Sequence, residues 1–247
     1  TLGNGSNDIL ELVAKAYVCS STDEVIFSEY AFVVYPLATQ ALGATSVVTK
    51  SKDFGHDLEA MLLAITDKTQ LIFIANPNNP TGTLLSDEAV HAFLSRVPNS
   101  IAVVLDQAYF EYLDQADRAI GLLAEFENLI ITRTFSKAYG LAGLRVGYCV
   151  SSGKIADYLN RIRQPFNVNH IAQVAAVAAL GDQSHLVRSV IANNNGLKQL
   201  EQGFDKLGLS YIPSSANFIS VKVDDAAKLY QLFLSLQQMN HQSARHQ

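Results

Sequence analysis

LIFIANPNNPTG, residues 71–82, decides how the chain is read. LIFIA is apolar on both faces and short enough to be a buried strand, and it stops abruptly at an asparagine–proline turn. IAVVLDQAY at 101–109 and LIITRTFSK at 129–137 repeat the pattern. Each apolar run hands over to polar residues, and in an open parallel sheet that carboxyl end of the strands is where ligands sit.

Working outward, further strands are expected at VIF near Val25, SVVT near Ser46 and RVGYCV from Arg145. Helix periodicity falls between the strands, at residues 8–18, 32–42, 58–65, 87–97 and 120–127. The alternation predicts an α/β fold with a mostly parallel sheet covered by helices on both faces. After Lys154 the pattern is helical: IADYLNRIR, HIAQVAAVAALG and a long run over 186–207. A strand-like YIPSSANFISVKV and a helix from Ala226 follow, and QQMNHQSARHQ, residues 237–247, reads as a polar tail without an element. Residues 1–185 are therefore expected to form a large domain. Residues 186–247 would form a linking helix and the start of a smaller α+β domain.

The 247 residues suffice for a sizeable core, and 49% hydrophobic against 17% charged residues describes a globular chain. A net charge of −5 with no basic stripe argues against a nucleic-acid partner. Cys19 and Cys149 are too few for a disulfide framework or a metal site. The six histidines show no metal-ligand spacing, so no metal is assigned. No apolar run is long enough for a membrane span, and the N-terminus lacks signal-peptide character, so the cytoplasm is the expected compartment. The abrupt start and the polar tail suggest a piece, or a frame-shifted reading, of something longer. Asp114 and Asp117 read as solvated surface.

The polar residues at the strand ends carry the chemistry. Asn79 follows the first of the three strands, Asp106 and Tyr109 the second, and Lys137 the third. Lys137 sits in TFSKAYGLAGLR among small and aromatic residues, with the next cation only at Arg145. Shelter of that kind suits an amine that must react uncharged. Taken singly, each feature has a plainer reading: a proline turn for NPNNPTG, a helix cap for Asp106, core packing for Tyr109. GNGSND is a weak dinucleotide fingerprint, with its third glycine missing and no preceding strand expected.

Together these residues fit one cofactor, pyridoxal 5'-phosphate, which needs a lysine amine for its aldehyde and a carboxylate for its ring nitrogen. Lys137 and Asp106 meet those needs, and Asn79 and Tyr109 can bond the ring oxygen. Arg145 offers a fork and Ser136 a hydroxyl to the phosphate. The backbone amides of Ser6 and Asn7, opening the first helix, add an anion site. Gly140 and Gly143 are expected to let the backbone approach the phosphate.

NPNNPTG, DQAY and TFSKAYGLAGLRVGY, in that order and spacing, resemble the class I and II aminotransferases, fold type I pyridoxal phosphate enzymes. GNGSNDILELV, SEYAFVVYPL and SKAYGLAGLRVGY resemble a histidine-biosynthetic branch of that family. The resemblance runs from Gly3 to about Gln237, leaving the tail after Gln238 outside it. It implies that Lys137, Asp106 and Tyr109 are catalytic. It also implies that the cofactor is held by Ser6, Asn7, Phe32, Asn79, Thr134, Ser136 and Arg145. An amino donor and a keto acceptor would be the substrates, with a homodimer as the working form. Family members are longer at both ends, with a tyrosine in the N-terminal extension and a substrate-binding arginine in the C-terminal one. Asn167 reads as a turn residue, or as one near the substrate or the neighbouring subunit. Gln107 stands where glutamate is usual beside the aspartate, a change expected to be mild. The resemblance leaves open another enzyme of this fold, such as an aromatic amino-acid aminotransferase or a threonine-phosphate decarboxylase. A chain that binds the cofactor without turnover, or a nicotinamide-dependent oxidoreductase, are the remaining alternatives.

Overall fold

In the computed structural model, residues 1–113 and 118–243 are described, with side chains to residue 235; Asp114 and Asp117 lie outside them. The chain runs β1 (Leu2–Gly3), α1 (Ser6–Tyr17), β2 (Glu24–Ser28), α2 (Val34–Ala41), β3 (Thr45–Thr49), β4 (Ser51–Lys52), β5 (Gly55–His56), α3 (Leu58–Leu63) and β6 (Thr69–Ala75). It continues through α4 (Asp87–Leu94), β7 (Ala102–Asp106), α5 (Ala119–Leu122), β8 (Leu129–Thr134), β9 (Gly147–Ser151), α6 (Gly153–Ile162), α7 (His170–Gly181) and α8 (Gln183–Leu207). A short pair, β10 (Tyr211–Ile212) and β11 (Ser220–Val221), precedes α9 (Ala226–Ser243).

Among the described residues the main sheet has the order β1-β9-β8-β7-β6-β2-β3. Its pairings from β3 through β8 are parallel, and β9 and β1 close one edge antiparallel. Alternate residues of each central strand feed two separate cores, which is why these strands are apolar throughout. Leu71, Phe73 and Val104 pack with Ile9, Leu10 and Tyr35 under α1 and α2. Ile72, Ile74 and Val103 pack with Met61, Val90 and Phe93 under α3 and α4. Truncating a fully buried ring such as Phe73 to alanine costs about 3–5 kcal/mol in cores of this kind.

Several sequence expectations need correction. A two-residue strand, β1, does lead into GNGSND, ending on its first glycine; it is too short to show a period, and its partner β9 lies far along the chain. Helix α1 begins at Ser6 rather than Asp8, because Gly5 turns the chain at φ +83° and Asp8 accepts the Asn4 amide. Arg145 is not in a strand: it sits in the left-handed region at φ 58° ahead of β9. The tail read as lacking an element is helical through Ser243, as α9 runs on through Gln237, Gln238 and Met239, which favour helix. No helix among the described residues is long and apolar enough to cross a membrane.

Candidate active site

Strands β6, β7 and β8 end side by side, with Ala75 in register with Asp106 and Asp106 with Thr132. The loops leaving them open a cleft at the carboxyl ends of these strands, where open α/β sheets place their ligands. The residues expected to carry the chemistry, Asn79, Asp106, Tyr109 and Lys137, all line this one cleft. Ser6, Asn7, Phe32, Thr134, Ser136 and Arg145 complete it.

Asp106 is 4% exposed. Two hydroxyls hold its carboxylate, Tyr35 donating to Oδ2 at 2.9 Å and Thr132 donating to Oδ1 at 3.0 Å. Burial pushes the Asp106 carboxyl above its ordinary pKa, while these bonds, the Ala108 amide and the Lys137 charge pull it back. Sequence reasoning missed both hydroxyls. Tyr35 is fully buried, stacked on Phe73 with ring centres 4.5 Å apart, so it reads as core.

Beside Asp106, Asn79 Nδ2 donates to the Tyr109 hydroxyl at 3.1 Å, so the amide and the phenol share one edge of the cleft. Lys137 Nζ lies 5.0 Å from the centre of the Tyr109 ring. Amine, carboxylate and paired donors thus come from three neighbouring strand ends.

The cleft also gathers groups that attract an anion. Helix α1 presents its first backbone amides at Ser6 and Asn7. Arg145 donates through Nη1 to the Ser136 hydroxyl at 3.2 Å and the Ala142 carbonyl at 3.0 Å. A Cβ at Gly5 would run into the Arg145 guanidinium, so only glycine leaves the arginine its place over the helix start. An anion cradle, a buried carboxylate and an amine with neighbouring donors fit a flat phosphorylated aldehyde cofactor.

Three residues fall elsewhere. Gly140 and Gly143 do not border the cleft, and a side chain at Gly143 would meet nothing within 4 Å. Asn167 also lies outside it; its amide donates to the Leu2 carbonyl at 3.0 Å and to Asp8 at 3.1 Å, fastening the start of the chain. Gln107 is buried and accepts from Arg133 Nε at 3.2 Å and Nη2 at 2.7 Å, while that guanidinium lies 4.1 Å over the Phe110 ring. No cluster of metal-ligating side chains occurs among the described residues.

With this fold and this site, the chain belongs to the class I and II aminotransferases, whose family model matches residues 1–244. That match reaches past Gln238, so the tail is not foreign to the family as the sequence reading had it.

Among relatives, the chain is 58% identical over 234 residues to a histidinol-phosphate aminotransferase of Methylobacillus flagellatus, covering 94% of this chain and 63% of the relative. It is 56% identical over 237 residues to histidinol-phosphate aminotransferase 2 of Pseudomonas aeruginosa, covering 95% and 64%. The histidinol-phosphate aminotransferase of Sinorhizobium meliloti, solved with pyridoxal-5'-phosphate, superposes with a TM-score of 0.86 at 32% identity, covering 92% of this chain and 62% of that one. A threonine-phosphate decarboxylase of Porphyromonas gingivalis, at 21% identity and a TM-score of 0.76, shares the fold. The chain spans less than two thirds of the length of the curated relatives it matches.

Proposed function

We propose that the chain serves a pyridoxal 5'-phosphate-dependent transamination in histidine biosynthesis. The reaction interconverts histidinol phosphate and 2-oxoglutarate with imidazole acetol phosphate and glutamate. The observation that carries the reading is the convergence of Lys137, Asp106 and the Asn79–Tyr109 pair on one cleft. The relatives' identity supports the choice of substrate.

When bound, the cofactor supplies an aldehyde that takes up the amino group and a ring that withdraws electrons from the carbon losing its proton. Lys137 Nζ would anchor it and move the proton at the substrate α carbon. Asp106, fixed by Tyr35 and Thr132, would hold a proton on the ring nitrogen. Asn79 and Tyr109 would donate to the ring oxygen, and Phe32 would cover a ring face. The Ser6 and Asn7 amides, the Ser136 hydroxyl and Arg145 would hold the phosphate, with Thr134 at the same end.

In this reading residues 1–185 form the large domain, and 186–247 the long helix with part of a smaller one. The working form is a cytoplasmic homodimer.

The test is the visible absorbance of the protein with pyridoxal phosphate, before and after histidinol phosphate is added, with Lys137→Ala alongside. A band that requires Lys137 and bleaches with histidinol phosphate is expected. A band indifferent to histidinol phosphate would move the substrate to another amine, and absence of the band would overturn the cofactor reading.

A further inference from the structure

The segment between β10 and β11 is fastened to the cleft at several points. The Ser215 amide donates to the Gly82 carbonyl at 2.8 Å, and the Ser220 hydroxyl donates to the Pro80 carbonyl at 2.7 Å. Both carbonyls belong to the loop that carries Asn79. Gly82 sits at φ +76°, and a Cβ there would come within 3.0 Å of the Ser214 Cα, so the two backbones touch where only glycine fits. Between these ties, Phe218 meets Tyr109 edge to face, with ring centres 5.3 Å apart and planes at 81°. Phe218 belongs to a small apolar cluster joining Tyr109 and Ala138 to Leu186 and Val190 of α8.

Tyr109 is therefore held at two places. Its hydroxyl accepts from Asn79, and its ring is braced by Phe218. The polar contact fixes the hydroxyl oxygen but leaves the ring free to turn about χ2, whereas an edge-to-face neighbour fixes the plane, and with it the in-plane direction in which the phenol O–H donates. Asn79 is held in turn, because the backbone on either side of Pro80 is tied to Ser215 and Ser220.

On the reading of the cleft as a pyridoxal phosphate site, we propose that Phe218 is a positioning residue. Through its ring on Tyr109, and with the ties at Gly82 and Pro80, it aligns the Tyr109 and Asn79 donors on a single ligand oxygen. Residues well over a hundred positions downstream would thereby tune the cofactor without touching it.

The measurement is the pH at which the visible band of the cofactor-loaded protein changes colour, the protonation of the link to Lys137. Donors on the ring oxygen lower that midpoint, so misaligning them raises it. Phe218→Ala is expected to raise it by roughly half a unit to one unit, the equivalent of one aromatic pair, in the direction that Tyr109→Phe also gives. Phe218→Tyr keeps the ring and should restore the original midpoint. Ser220→Ala, which loses one tie, should move it the same way by less. A role in packing alone would lower the Tm of the cofactor-free protein and leave the midpoint unmoved; that result overturns the proposal. Should Phe218→Ala not fold, Phe218→Leu fills the space without a ring, and an unmoved midpoint in it has the same force. If the unsubstituted protein forms no band, the reading of the cleft itself falls, and the proposal falls with it.

Discussion

The Tyr35 hydroxyl donates to Asp106 at 2.9 Å, from a helix 71 residues upstream of the carboxylate that it orients. The bond is buried and involves a charged acceptor, which places it among the stronger protein hydrogen bonds. Tyr35→Phe deletes the donor and little else. We expect cofactor affinity to fall roughly tenfold or more, followed by absorbance titration, with the fold intact by circular dichroism. Unchanged affinity would mean that Thr132 alone suffices to orient Asp106.

Asp106 is also a burden on the protein without its cofactor. Burial raises its pKa in the fold above the unfolded value, so the group favours folding at low pH and loses that contribution as pH rises through its folded pKa. Asp106→Asn removes the buried charge. It should raise the Tm of the cofactor-free protein near neutral pH by roughly 2–4 °C, about 1 kcal/mol for a chain of this size. The same variant should bind the cofactor more weakly. A lower Tm would show that the hydroxyl bonds outweigh desolvation.

His56 is expected to weaken the fold in acid. It is buried, with Nε2 2.9 Å from the Ala75 carbonyl oxygen and 3.2 Å from the Ala75 nitrogen, at the foot of the Asn79 loop. Burial pushes it from 6.5 down to about 4. The unfolded chain therefore binds the extra proton first, and stability is lost as pH falls from about 6.5 towards 4. The full loss is about 3 kcal/mol. The unfolding free energy from denaturant melts should fall as pH drops across that window in the unsubstituted protein and fall less in His56→Gln. Parallel slopes would remove His56 as the cause.

Gly5→Ala attacks the anion end. It combines a left-handed φ with a collision against Arg145. Phosphate inhibition of cofactor loading should weaken at least several-fold, since Arg145 must leave its place over the helix start. Phosphate binding unchanged from the parent would place the anion elsewhere.

The central strands were legible because each is apolar on both faces, and Asn79, Asp106, Tyr109 and Lys137 because they stand where those runs stop. Tyr35 and Thr132 were not. One hides in a helix that reads as core, and the other depends on the register between β7 and β8, which no local pattern encodes. The β4–β5 hairpin, with His56 in it, has two-residue strands and a turn through Asp53 and Phe54 at positive φ, neither of them glycine. Gly140 and Gly143 misled because a glycine's proximity in sequence to a lysine says nothing about which way the backbone faces.

The pairing of Leu2 with Tyr148 and of Gly3 with Gly147 sets an order of events. The amides of Ser6 and Asn7 are made some 140 residues before the strand that pairs with β1 and seats their helix against the sheet. Closing a contact of that span costs more chain entropy than closing a local one. On the proposed reading, the anion site at the start of α1 would be complete only once that edge of the sheet has closed.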